Sequence, residues 1–335
     1  MQDSSYGPLN MTVRVQENLL LDQSHYDRML RANSYEEAVR VLLDTNYREG
    51  VQEAIDTKDY EPMLRKELIT TYQWILDQSP SDIIDELITL PYAYHNIKVL
   101  YKEKLTGKNF EHTLIDIGVF PIFEFRKEVS QEEESIILPK YYKQNIRNLN
   151  IEFAEAPRLS DIDIFVDRAY IHHLKRLSEE IDDVAVTQYI NTIIDNTNVS
   201  IFFRALAFKH GKNHIQATIT DEGSISQEFF VQLVDRGMEG AIDAFLELSE
   251  YRDIINEALD EAKQLSLRRL EKALDNATEA YLEKAHFTVF GPIPVLTFIS
   301  AKEIEIKNIR LALTGQLNRI DPEIVRDRMR LDYAV

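Results

Sequence analysis

Apolar residues recur along this chain at intervals of three and four, the spacing that lines them up on one face of an α-helix. Leu, Glu, Ala, Arg and Lys fill long stretches at that spacing, and residues 12–56, 62–77, 158–209 and 227–286 are the clearest helical regions. Only 10 glycines and 10 prolines punctuate the 335 residues, so helices are expected to dominate. Two helix starts are marked by their caps: Ser34 stands three residues before Glu37, and Ser79-Pro80-Ser81-Asp82 combines capping side chains with a proline. The one β-like segment, Gly118 to Phe125, alternates weakly around Pro121. Together with the run on to Lys140, which carries Glu132-Glu133-Glu134, it reads as a solvated, irregular excursion.

The pattern also repeats on a longer scale. Similar segments surround three asparagines: His-Asn-Ile-Lys-Val-Leu-Tyr-Lys at Asn96, Thr-Asn-Val-Ser-Ile-Phe-Phe-Arg at Asn198 and Lys-Asn-Ile-Arg-Leu-Ala-Leu-Thr at Asn308. These asparagines are 102 and 110 residues apart, and after each comes one apolar helix face: Ile97, Leu100 and Tyr101; Val199, Phe202 and Phe203; Ile309, Ala312 and Leu313. A glycine follows each, Gly107, Gly211 or Gly315, where a left-handed cap is expected to end the helix. Leu64 and Val166 both lie 32 residues before their asparagine, and Glu36 to Leu43 matches Glu239 to Leu246, so the chain is expected to begin partway through a unit. Three diverged helical units follow, with approximate bounds 1–109, 110–215 and 216–335 and interleaving at the termini, stacked as a short solenoid or set around a pseudo-threefold axis. Asparagine is a mediocre helix former, so its recurrence inside an apolar helix points to a structural hydrogen bond to a packed neighbour.

Composition narrows the function. Hydrophobic residues at 44% supply a sizeable core, while 38 basic against 57 acidic side chains leave a net charge of −19. That charge repels phosphate backbones and anionic lipid headgroups, so nucleic acid is not an expected partner. The absence of cysteine rules out disulfides, thiolate metal sites and thiol nucleophiles, and fits a reducing compartment. Met1 to Asn10 carries Asp3 and Pro8 where an export signal has a basic start and an apolar stretch. The most apolar window, Val289 to Ala301, is interrupted by Gly291, Pro292 and Pro294 and falls well short of the ~20 residues that cross a bilayer.

Catalytic signatures are missing too. Gly107-Lys108 and Gly211-Lys212 lack both the glycine five positions earlier and the following Ser or Thr of a phosphate loop, and no two glycines stand two apart as a dinucleotide fingerprint demands. Neither a Gly-x-Ser-x-Gly elbow nor a His-Glu-x-x-His helix occurs. His172 and His173 point about 100° apart on a helix and cannot share one metal. His210 and His214 straddle Gly211, and Asp161-x-Asp163 suits an acidic first helical turn, so both read as surface features. No catalytic residue, metal, cofactor or bound nucleotide is expected.

In chain order, Val13-Arg14 with Leu19-Leu20, Tyr94-His95-Asn96-Ile97-Lys98, Asp195-Asn196-Thr197-Asn198-Val199 with Phe203-Arg204, and Phe290-Gly291 lead to the most specific part. That part is Lys302-Glu303-Ile304-Glu305-Ile306-Lys307-Asn308-Ile309-Arg310, then Thr314-Gly315-Gln316-Leu317-Asn318 and Arg330-Leu331-Asp332-Tyr333. Taken together, these segments resemble the C subunit of bacterial and archaeal V/A-type ATPases, the counterpart of the eukaryotic V-ATPase d subunit. The family's N-terminal aromatic segment is reduced here to Tyr6 and Leu9-Asn10. The resemblance implies an all-α fold of three similar helical domains in a pseudo-threefold arrangement, forming a funnel on the cytoplasmic ends of the membrane rotor ring. Its hollow would receive the tip of the central stalk, made of the D and F subunits, while ATP is hydrolysed on the A and B subunits. It implies a peripheral, non-catalytic subunit, present once per complex, that passes rotation between stalk and ring in ion transport, of protons or of sodium. On that reading the acidic surface meets basic side chains of the stalk, and Arg204 and Arg310 hold helices together rather than touch it.

Two other readings share the acidic charge and missing motifs. A free helical-repeat scaffold would repeat every ~34 to 47 residues, well below the spacing of the asparagines. An enzyme whose acid and base are carboxylates gathered only by folding leaves no local motif.

Overall fold

The computed structural model describes residues 4–154, 158–285, 288 and 290–330. Of the positions singled out above, Met1, Asp3, His286, Val289, Leu331, Asp332 and Tyr333 lie outside that set. The described residues form α-helices throughout: α1 (Gly7–Glu17), α2 (Gln23–Arg31), α3 (Tyr35–Arg40), α4 (Val51–Thr57), α5 (Glu61–Leu76), α6 (Asp82–Thr106), α7 (Ile122–Ser130), α8 (Lys140–Glu152), α9 (Leu159–Glu180), α10 (Val184–Ala207), α11 (Lys212–Thr218), α12 (Gln227–Leu233), α13 (Gly237–Glu247), α14 (Arg252–Ala258), α15 (Leu267–Ala285), α16 (Ile293–Leu317) and α17 (Pro322–Arg328). Among these residues the only β pairing is an isolated bridge between Leu259 and Leu265. The chain divides into two compact units, Met1–Pro80 with Leu248–Val335, and Ser81–Glu247.

The first unit is built around α16, which packs against α1, α2, α3, α5, α15 and α17. A helix segment that is apolar all round has to be enclosed: α16 is buried on every side from Ile293 to Ile299, and beyond that only the stripe through Lys307 and Arg310 is exposed. Pro294 sits in its first turn, where the missing N–H removes no helical bond. The most apolar stretch of the sequence is therefore a core helix; no described helix is long and apolar enough to cross a membrane. Tyr26, Met29 and Leu30 on α2, Ala38 and Val39 on α3, and Leu64 on α5 close over Ile309, Ala312 and Leu313. The apolar stretch 12–56 breaks into four helices because Asp22 and Ser34 cap new ones, accepting from the backbone N–H of His25 and Glu37.

In the second unit, α9 packs on α6 and α10, and a cluster of Phe202, Phe203, Phe230 and Phe245 forms part of the core with rings 5.2–6.2 Å apart. Here the structure corrects one expectation. The excursion between Gly118 and Lys140 contains α7, started by Pro121 in an extended conformation and anchored by buried Phe125 and Val129, which are one helical turn apart. The short length of α7 and the proline that precedes it mask the helical period in the sequence. The acidic run beyond it does form a loop, where Glu134 lies 3.1 Å from Lys143 and 3.0 Å from Arg147.

Candidate functional site

The asparagines stand on the three long helices α6, α10 and α16, with 2%, 1% and 0% of their surface exposed. Each uses both the nitrogen and the oxygen of its amide. Asn96 donates to the Ile115 carbonyl (2.7 Å) and accepts from its N–H (2.9 Å); Asn198 does the same with Thr220 (3.0 and 3.3 Å) and Asn308 with Arg330 (3.3 and 3.0 Å). A carboxamide carries the same donor and acceptor as a peptide, so it pairs with an extended backbone residue as a neighbouring strand would. The clamped residue comes two positions after a short helical segment: the 3-10 turn Glu111–Thr113, α11 ending at Thr218, or α17 ending at Arg328. The residue between, Leu114, Ile219 or Met329, is extended and buried. The nine apolar residues after the asparagines are all buried. So are Leu64 and Val166, and the matched pairs Ala38 with Ala241, Val39 with Ile242 and Leu42 with Phe245. The clamped residues themselves escape sequence reading, because the clamp grips backbone; the apolar residue before each is the only side-chain signal.

The three glycines do three different things. Gly107 caps α6 with φ +63°. Gly211 does not cap α10: it is extended (φ −89°, ψ −177°) at the start of α11, and Lys209 takes the left-handed conformation instead. Gly315 lies inside α16, where an added Cβ would come within 2.6 Å of Val325 Cγ2, so its role is close approach to α17. Its neighbours explain the rest of that motif: Thr314 meets the Tyr60 hydroxyl at 2.6 Å, and Gln316 donates to the carbonyls of Met29, Leu30 and Ala32 at the end of α2. Arg310 forks onto Glu61 of α5 (2.6 and 2.9 Å), whereas Arg204 is exposed on α10.

The histidines are separated by their surroundings. His172 contacts Glu222 at 2.6 Å, while His173 is buried among Tyr94, Tyr141 and Tyr142 and lies 3.3 Å from Glu86. The rings of His210 and His214 stack 4.0 Å apart, and burial and the neighbouring imidazole lower the pKa of His214. Asp163, in the first turns of α9, pairs with Lys102 at 2.6 Å. No group of three or more acidic and histidine side chains among the described residues is placed to hold a metal.

The most concentrated polar chemistry lies in the first unit. Lys302 and Glu305 are 2% and 3% exposed on α16, joined at 2.7 Å, and Lys302 reaches Glu67 of α5 at 3.2 Å. Glu305 also accepts from the Tyr47 hydroxyl (2.7 Å) and the Leu21 N–H (2.5 Å). Buried charges persist only when paired and hydrogen-bonded. Burial alone would lower the pKa of Lys302, but the carboxylates of Glu305 and Glu67 outweigh it and raise it, keeping the ammonium charged. Burial, reinforced by Glu305, pushes the Tyr47 phenol well up, so it stays a donor. An acid and a base three apart in an apolar helix were the sequence signal for such a pair; Glu67, on a distant helix, gave none. Glu67 and Lys302 border an open cleft of about 860 Å³, walled also by the end of α1, residues 43–46, 48 and 49, and Trp74.

Comparison with known proteins places this geometry in context. Residues 9–328 match the family described as ATP synthase (C/AC39) subunit. The chain is 29% identical to the C subunit of the V-type sodium ATPase of Enterococcus hirae, over 98% of this chain and 99% of that one. It is 25% identical to the C subunit of the A-type ATP synthase of Methanocaldococcus jannaschii, over 96% and 85% of the two chains. With the C subunit of the V-type ATP synthase of Deinococcus radiodurans it shares 24% identity, over 96% and 90%.

Proposed function

Because this chain belongs to the ATP synthase (C/AC39) subunit family, we propose that it is the non-catalytic subunit of a rotary V/A-type ATPase that couples the central stalk to the membrane rotor ring. The observation that carries this reading is the match across residues 9–328, which includes all three asparagine helices. The recurrence of the clamp supports three similar helical units, 1–109, 110–215 and 216–335, and the coupling role calls for their grouping as a funnel around the tip of the stalk. On this reading the partners are the D and F stalk subunits and the ring, with one copy of this chain per complex, held peripherally on the cytoplasmic side. ATP chemistry belongs to other subunits.

A part that passes torque must resist twisting. Close-packed helical cores deform little before they yield. Each clamp adds two hydrogen bonds that tie a connecting segment to a long helix, which stiffens the joints where such a frame would otherwise give.

The test is gel filtration and calorimetry of the full chain with a purified D and F pair. A stable complex with one copy of each supports the coupling role. Absence of binding overturns it and favours the free scaffold.

A further inference from the structure

The cleft of the first unit carries features that the stiffness of the frame does not require. One stripe of α5 forms a wall: Glu67, Thr70 and Trp74 stand at i, i+3 and i+7, so they share a helix face about two turns long. Trp74 is the chain's only tryptophan, half-buried at the cleft and edge-on to Phe298 at 6.0 Å. Two large apolar side chains, Leu19 and Leu43, are 49% and 43% exposed and border the same space. An aromatic wall, exposed leucines and a partly buried carboxylate in one concavity are the ingredients of a seat for a helical segment.

The charges select the occupant. Lys302, 2% exposed, is held by two carboxylates, which offset its charge. Glu305 is satisfied by Lys302, Tyr47 and the Leu21 amide. Glu67, by contrast, has a single bond, from Lys302 at 3.2 Å to one of its oxygens, and borders the cleft with its side chain 12% exposed. The buried trio therefore holds two carboxylates against one ammonium, and its excess negative charge lies beside the opening. Exposed Asp44 adds to it, while Glu49 is offset by Lys66 at 2.6 Å; exposed Arg48 and His25, which pairs with Asp22, stand on the cationic side. With a net charge of −19 on the chain, the complement is a basic group on an apolar surface.

We infer that this cleft seats a Lys or Arg side chain borne on a helical segment of the stalk pair, its cationic head on the Glu67 carboxylate and the adjoining apolar residues against Trp74, Leu19 and Leu43. The inference rests on the coupling role proposed above and assigns a docking point within it. Filling the cleft removes Glu67 from water and sets a second cation beside a carboxylate that so far has only Lys302, which makes the contact specific for a cation at that position.

The experiment uses the full chain with fluorinated tryptophan incorporated into it alone, titrated with the purified D and F pair and followed by fluorine NMR and calorimetry. The single Trp74 resonance is expected to shift on binding. Glu67→Gln, which leaves Lys302 paired with Glu305, is expected to weaken the complex about tenfold and to flatten its salt dependence. Thr70→Arg, at an exposed position that does not bear on folding, places a competing cation in the cleft and weakens binding to a similar degree; it decides the question should Glu67→Gln lower stability. If the pair binds while the Trp74 resonance stays fixed and Thr70→Arg binds as well as the native chain, the cleft is not the seat and the coupling role stands. If the native chain fails to bind the pair, the coupling role falls and this inference with it.

Discussion

Asn198 shows what one side chain does in this frame. Replacing it with alanine leaves the buried Thr220 N–H and carbonyl without their partner, and a buried polar group left unpaired costs about 1–3 kcal/mol. Asn198→Ala is therefore expected to lower unfolding stability by about 2–4 kcal/mol in urea titration; an unchanged midpoint would remove the clamp from the account. Glu279 makes a second prediction at this scale. Burial, with Asp275 and Glu303 nearby, raises its carboxyl from 4.5 to about 7, against the opposing bond from the Ser300 hydroxyl and the charge of Lys307. Between pH 4.5 and about 7 the folded chain then holds a proton that the unfolded chain has released. The group's contribution to stability is complete below 4.5 and is lost as pH rises through about 7. Glu279→Gln should flatten that slope and be more stable than the native chain at pH 8, by about 2 kcal/mol. Parallel stability curves for the two proteins from pH 5 to 8 would show that Glu279 does not titrate in this way.

At the scale of elements, the three glycines that follow the repeat asparagines separate by conformation. Gly315→Ala drives a methyl into Val325 and should cost about 1–3 kcal/mol. Gly107→Ala meets open space but must hold φ +63°, at a cost of about 1 kcal/mol. Gly211→Ala, extended and unobstructed, should be neutral within about 0.5 kcal/mol. Thermal unfolding of the three variants tests that order, and equal losses would mean that the glycines act alike. Elements were legible wherever a period or a cap spans enough residues: Ser34 starts α3, Ser81 precedes α6, and the apolar faces after the asparagines are buried. The helix at Ile122–Ser130 was hidden because it is short and Pro121 interrupts the pattern that would reveal it.

For the whole molecule, charge is the property that reaches furthest. A surface carrying −19 attracts a basic partner over distances that salt screens, since the Debye length falls from ~10 Å at 0.1 M to ~3 Å at 1 M. Association with the stalk pair should therefore slow by about tenfold or more between low and high ionic strength, with a smaller change in the dissociation rate. Stopped-flow mixing measures both; an association rate independent of salt would exclude the charged surface as the guide. The candidate site was half legible at this scale. Lys302 and Glu305 are neighbours on one helix, but Glu67 is 235 residues away and Trp74 further along the same helix as Glu67.

Helical class, repeated asparagines, buried apolar positions and net charge were determined by the sequence alone, because each follows from residue type and spacing over one or two helical turns. Only the tertiary structure decided what the asparagines grip, since a clamp on backbone atoms demands no particular side chain at Ile115, Thr220 or Arg330. It also decided which charges are buried and which glycine must stay a glycine. Those properties depend on what a distant segment brings within a few ångströms, and local periodicity carries no record of that.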